Sequence, residues 1–392
     1  MTDRFILQAD HPLHRLQWRA FTVGMVALGI AVMGAIAMPQ QFFRSYLVAY
    51  LFWFGIAMGS LAILMIYHIT GGAWGAVIRR LLESATRTMP LLALLFVPLL
   101  FGLPDLYEWA RPEEVAHDPI LQHKSLYLNV PFFLIRAGFY FVVWCVVIWF
   151  LNRWSLEQDR TTDPEALATR LEQLSRGGLV AVGLTVTFAS IDWAMSIEAH
   201  WYSTIYGIMI AGGQILAAMA FVIPVAALLS DRGPLTGVIS AEQFHDLGKL
   251  MLAFVMLWAY FSFSQFLIVW SANLTEEIPW YLRRLQGGWQ WVGAALVVFH
   301  FAIPFVILLS RTLKRNARRL ALVALTMVGM RLVDVYWLIA PAFSPGQFAI
   351  HWLDLATVVG LGGVWLAAFV WQLKGRPLVP LHDPSLPEHV RI

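Results

Sequence analysis

The chain has 392 residues, of which 59% are hydrophobic and 13% charged, against roughly a quarter charged in a soluble domain. With a mean hydropathy of +0.67, this excludes an ordinary water-soluble fold and describes a polytopic helical membrane protein. The net charge of +3 carries no nucleic-acid signal, because Lys and Arg fall in loops where membrane topology explains them. The single cysteine, Cys145, lies in an apolar run. It leaves no disulfide framework, no Cys-rich iron–sulfur ligand set and no C-x-x-C-H haem attachment in this chain.

About 20 apolar residues are needed to cross the bilayer core, and on that rule the sequence predicts ten spans. The first, near 20–38, contains Ala35-Ile36-Ala37, which resembles a leader cleavage site; it is expected to be kept as a transmembrane helix. The second, 46–70, carries Gly55-x-x-x-Gly59, a helix-packing signal. The third, 88–104, is interrupted by Pro90, Pro98 and Pro104, so neighbouring groups must satisfy the freed carbonyls. Residues 102–130, rich in proline, acidic and aromatic side chains, form an ordered loop suited to covering the bundle or meeting a partner. The fourth span is 131–151. The loop 152–178 holds a short amphipathic helix, DPEALATRLEQLSR, with Asp163 before Pro164 as its cap.

The fifth span, 179–197, contains Asp192, and Glu198, His200, Trp201 and Tyr202 follow at the water boundary as an interfacial belt. Spans six to ten follow at 203–230, 248–271, 288–310, 320–340 and 352–373. The tail from Pro377 is Pro-rich and expected to be extended. The whole chain reads as one polytopic domain, with a first helix group over 20–197, a second over 203–373 and a tail over 374–392. The loops are too short to hide a soluble catalytic domain. Neither a P-loop nor a G-x-G-x-x-G after a strand is present.

Ten spans put both termini on one side. That side carries Arg4, Arg15, Arg19, Arg79, Arg80, Arg87, Arg153, Arg160, Arg170, Arg176 and Arg232, the cluster Arg311 to Arg319, and Lys374, Arg376 and Arg391. The other carries only Arg44, Arg111, Lys124, Arg283 and Arg284. By the positive-inside rule both termini are expected in the cytoplasm.

A carboxylate at the depth of Asp192 costs roughly 2.5–3.5 kcal/mol on insertion scales, so a partner or an aqueous cavity must hold it. Orientation places Arg136, Asp192, the i, i+3 pair Arg331 and Asp334, and the i, i+3 pair His351 and Asp354 in the outer half, on four spans. His300 lies near the middle of span eight, His68 toward the inner end of span two, and Lys249 at the inner end of span seven. A proton ladder from Lys249 and His68 through His300 to the outer acids is one reading of this set. Locked structural ion pairs are the other. Haem ligation by His68 and His300 is disfavoured by their different depths.

Four stretches carry a family resemblance: LFWFGIAMGSLAILMIYHITGGAWG (51–75), SLYLNVPFFLIRAGFYF (125–141), TVTFASIDWAMSIEAHWYSTIYG (185–207) and FSFSQFLIVWSANLTEEIPWY (261–281). They resemble the F-subunit family of bacterial alternative complex III, a quinol:electron-acceptor oxidoreductase, related to the polysulfide-reductase (NrfD-type) membrane anchors. The resemblance implies an all-α integral membrane subunit of about ten transmembrane helices: two four-helix bundles plus two peripheral helices. It implies membrane lipids and the other subunits of the complex as partners, above all a homologous quinol-binding C subunit, with a terminal oxidase as a further candidate. It places haem c and iron–sulfur clusters in those partners and none in this chain. The implied role is to support the complex and conduct protons through buried acids and histidines in the bacterial inner membrane. A pure scaffold and a quinol-binding anchor remain as alternatives.

Overall fold

The computed structural model describes residues 5–8 and 11–386; Arg4 and Arg391 lie outside the described residues. Among the described residues, ten helices are long and apolar enough to cross a membrane: α1 (Pro12–Ala37), α2 (Pro39–Thr70), α3 (Arg79–Phe101), α4 (Val130–Gln158), α5 (Pro164–Trp193), α6 (Tyr206–Asp231), α7 (Ala241–Ala272), α8 (Trp289–Leu309), α9 (Ala317–Phe343) and α10 (Trp352–Leu373). The protein is an all-α, multi-pass membrane protein. Large apolar side chains such as Leu94, Phe139, Tyr260, Trp291 and Leu322 face outward, as a lipid-facing surface requires.

Several helices outrun their apolar cores. The amphipathic segment 164–178 is not a separate loop helix but the first half of α5. Asp163 accepts a hydrogen bond from the Ala166 amide and Pro164 occupies the first turn, as the sequence predicts. No breaker follows before Trp193, so the helix runs on, and the connection to α4 shrinks to residues 159–163. The third span likewise begins at Arg79, well before the predicted 88. A turn at Arg87 and Thr88 interrupts it ahead of Pro90: the Arg87 amide still bonds the Glu83 carbonyl, but the Thr88 amide falls back on Ala85, and Thr88 Oγ1 accepts from Trp365 Nε1 at 2.9 Å.

Helices α2, α3, α4 and α5 close one four-helix ring, and α6, α7, α8 and α9 close a second. Helices α1 and α10 pair along their length and lie against α2. The rings meet chiefly through α2 and α6. The small residues predicted for packing make this possible: a Cβ at Gly59 would lie 1.9 Å from the Gln214 carbonyl oxygen. Trp193 centres the first ring, with Phe96 at 4.6 Å and Phe54 at 5.3 Å between ring centroids. Such tilted and edge-on aromatic contacts add stability beyond burial.

The tail, expected to be extended, is instead a run of turns and bends packed against the fold. Leu378, Val379, Leu381 and Leu386 are buried, and the Leu378 amide bonds to the Phe5 carbonyl at 2.8 Å. Residues 377–386 therefore close the end of the first ring that carries both termini.

Candidate functional site: buried charges in two bundles

Asp192, wholly buried on α5, meets α4. Arg136 grips it with Nε at 2.8 Å and Nη2 at 2.9 Å, and Tyr140 Oη donates at 2.8 Å. The guanidinium also donates to the Tyr127 carbonyl at 2.8 Å and lies 3.8 Å from the Tyr127 ring centroid and 4.4 Å from that of Phe132. A bidentate fork of this kind is the strongest form of ion pair. Of the two countercharges suggested by depth, Arg136 is the one used. The carboxylate is held by three donors on two side chains, the arrangement of a lock.

Asp334 is held differently. Arg331, one turn earlier on α9, and Trp258 of α7, at 2.9 Å, both donate to Oδ2. A Cβ at Gly213 would lie 2.2 Å from the Arg331 guanidinium carbon, so the absence of a side chain on α6 is what admits that group. Trp258 meets the His300 ring edge-on at 4.3 Å. His300 is wholly buried, and among the described residues neither ring nitrogen has a hydrogen-bond partner. It sits in a π-helical turn, Leu296–Ala302, a distortion often found at functional sites. Beside this cluster a cavity of about 690 Å³ is walled by Trp258, Phe266, Trp280, Tyr281, Arg284 and Asp334, among other side chains. Arg331 also reaches the seam between the rings, where Gln214, Ser190 and Trp193 help to line a void of about 20 Å³.

The residues expected together in the outer half thus fall into three separate groups rather than one cluster. The third is His351 and Asp354, which form a capping box at the start of α10: His351 Nδ1 accepts from the Leu353 amide, and Asp354 Oδ2 accepts from the His351 amide at 2.8 Å. Ser45 and Tyr336 also donate to Asp354. The ladder from Lys249 is not formed. Lys249 is exposed and pairs with Asp246 at 2.9 Å on the same helix, because its position on α7 faces outward. His68 belongs to the first ring and His300 to the second, so they do not converge as ligands.

Two buried charge networks escape the sequence reading, which treats their arginines as loop charges. At the end away from both termini, Arg284 is fully buried, lies 3.5 Å from the Trp280 ring centroid, and donates to the Trp280 and Leu338 carbonyls and, at 3.0 Å, to Glu198. At the terminus-bearing end, Arg79 donates to Glu83 at 3.0 Å, to Gln158 at 2.9 Å and to Asp383, while Arg80 pairs with Glu83 at 2.7 Å and with Asp159. Tyr67 Oη donates to Asp383 at 2.6 Å. Burial by itself raises the Asp383 carboxyl, but Arg79 and Tyr67 hold it below the usual carboxylate range. Burial wins at Asp159, whose carboxyl is pushed up despite Arg80. The one available signal was spacing: Arg79, Arg80 and Glu83 lie within one helical turn, which a disordered loop would not need.

Among the described residues no three His, Cys, Asp or Glu side chains gather as a metal set. No protein-family model matches the chain, and no curated protein matches it either.

Proposed function

We propose that this protein is an integral membrane subunit of a quinol-oxidising respiratory assembly in the bacterial cytoplasmic membrane, similar to the F subunit of alternative complex III. Both termini lie in the cytoplasm. Its first ring serves as scaffold, locked by Arg136–Asp192. Its second ring handles protons at Asp334 and His300. Partner subunits, including a homologous quinol-binding C subunit, carry the haem c and iron–sulfur centres and pass electrons onward, in some assemblies to a terminal oxidase.

The observation that carries this reading is the Asp334–Trp258–His300 contact. Among the described residues Trp258 touches both groups, His300 has two ring nitrogens without partners, and Asp334 has its bonds on one oxygen and lines a cavity. Groups that exchange protons need such unspent hydrogen-bonding capacity. Asp192 lacks it. In the assembled complex, Asp334→Asn and His300→Phe are each expected to lower the number of protons translocated per quinol oxidised, with assembly intact. Unchanged translocation in both variants sinks the proton role.

The cavity favours a second reading, that quinol binds within this chain. It is a largely apolar, aromatic-walled space with a few polar groups, the usual make-up of a small-molecule site. On this reading Ala294→Trp, which places bulk in the cavity wall, reduces the quinone recovered by solvent extraction of the purified protein. Equal recovery from both proteins removes it.

A further inference from the structure

A further cleft lies away from these clusters, between α3 and α4 at the end that carries both termini. It measures about 1020 Å³. Its inner wall is apolar, with Met89, Pro90, Cys145, Val146, Trp149 and Phe150. Val146 and Trp149 are half exposed on the outward face of α4, so the cleft opens sideways onto the lipid-facing surface. Its other end is ringed by Arg87, Arg153, Arg160 and Arg376, with Glu157 the only acid on the wall.

The arginines are not consumed by the fold. Arg87 donates through Nη2 to Ser84 at 2.9 Å and to the Gln372 carbonyl, but its Nε and Nη1 are buried without a partner among the described residues. Arg376 Nη1 is in the same state. The Arg153 guanidinium lies 4.9 Å from the Trp149 ring centroid, which fixes it at the boundary between the apolar and the charged parts. Buried guanidinium N–H groups without acceptors are costly, and four guanidinium side chains lining one cleft suit an anion with several oxygens.

We propose that this cleft binds an anionic phospholipid, its phosphate on Arg87 and Arg376, its outer headgroup toward Arg153 and Arg160, and an acyl chain along Trp149, Val146 and Cys145. The apolar wall separates this ligand from a nucleotide or free phosphate, which would leave that surface against nothing. The bilayer-facing opening admits a lipid without passage through water. Basic pockets between transmembrane helices at the membrane boundary commonly hold acidic headgroups.

The test uses the full-length protein, exchanged into zwitterionic phosphatidylcholine and then supplied with phosphatidylglycerol or inorganic phosphate. Expected is a rise in Tm of several degrees with phosphatidylglycerol and none with phosphate, together with retention of the anionic lipid through native mass spectrometry. Arg153→Gln with Arg160→Gln, both on exposed positions, is expected to keep the fold and lower lipid retention at least fivefold. Arg311→Gln with Arg319→Gln, exposed basic positions outside the cleft, is expected to leave it unchanged. Equal loss in both pairs means a diffuse basic surface and overturns the site. A response to phosphate equal to that of the lipid overturns the role of the apolar wall, and with it the proposal.

Discussion

At the scale of single residues, the buried acids Asp192 and Asp334 have opposite surroundings. Asp192 has both oxygens engaged by a guanidinium fork and a tyrosine. Removing one partner of a buried pair typically costs about 3–5 kcal/mol, whereas replacing both by well-packed apolar groups is often neutral. Arg136→Met and Asp192→Leu alone are therefore each expected to lower thermal stability sharply in detergent, and the double variant to recover most of the loss. A double-mutant cycle reads this directly; additive losses from the two substitutions would show that the pair is not a lock. Asp334 differs because its partners leave one oxygen uncommitted, and the side chain borders open volume.

At the scale of elements, the third span and the tail form one unit. Arg79, Arg80 and Glu83 on the first turns of α3 are buried, bonded to Ser155 and Gln158 of α4 as well as to Asp383 of the tail. The contribution of Asp383 follows from its shifted carboxyl. A carboxyl whose folded value is depressed stabilises fully above its unfolded value, here the ordinary 3.8, and the contribution is lost as pH falls through the lower folded value. The tail is thus expected to stay docked at neutral and mildly acid pH and to loosen only in strong acid. Asp383→Ala, which removes a charged acceptor worth about 2 kcal/mol, should release it at neutral pH. Amide exchange across 377–386 measures both effects; unchanged exchange in the variant would mean the apolar residues alone hold the tail. The same element view explains why α5 starts at Pro164. A good cap and an unbroken helical sequence extend a helix beyond the bilayer whatever the hydropathy window says.

At the scale of the whole molecule, two four-helix rings with α1 and α10 alongside give each buried charge pair its own compartment. Ring membership explains why residues at similar depth do not form one cluster: Asp192 faces α4 inside the first ring, while Asp334 faces α7 inside the second. The ten spans, the all-α class, the Asp163 cap and the Gly59 close approach were all legible in the sequence, because span length, cap chemistry and small-residue spacing are local properties. Which face of each helix meets which neighbour was not, since low hydrophobic contrast around a lipid-facing helix leaves its rotation to packing. That rotation alone decided that Arg136 and not Arg331 holds Asp192, that Lys249 points outward, that Arg284 and Arg79 are interior, and that His300 rests unpartnered against Trp258.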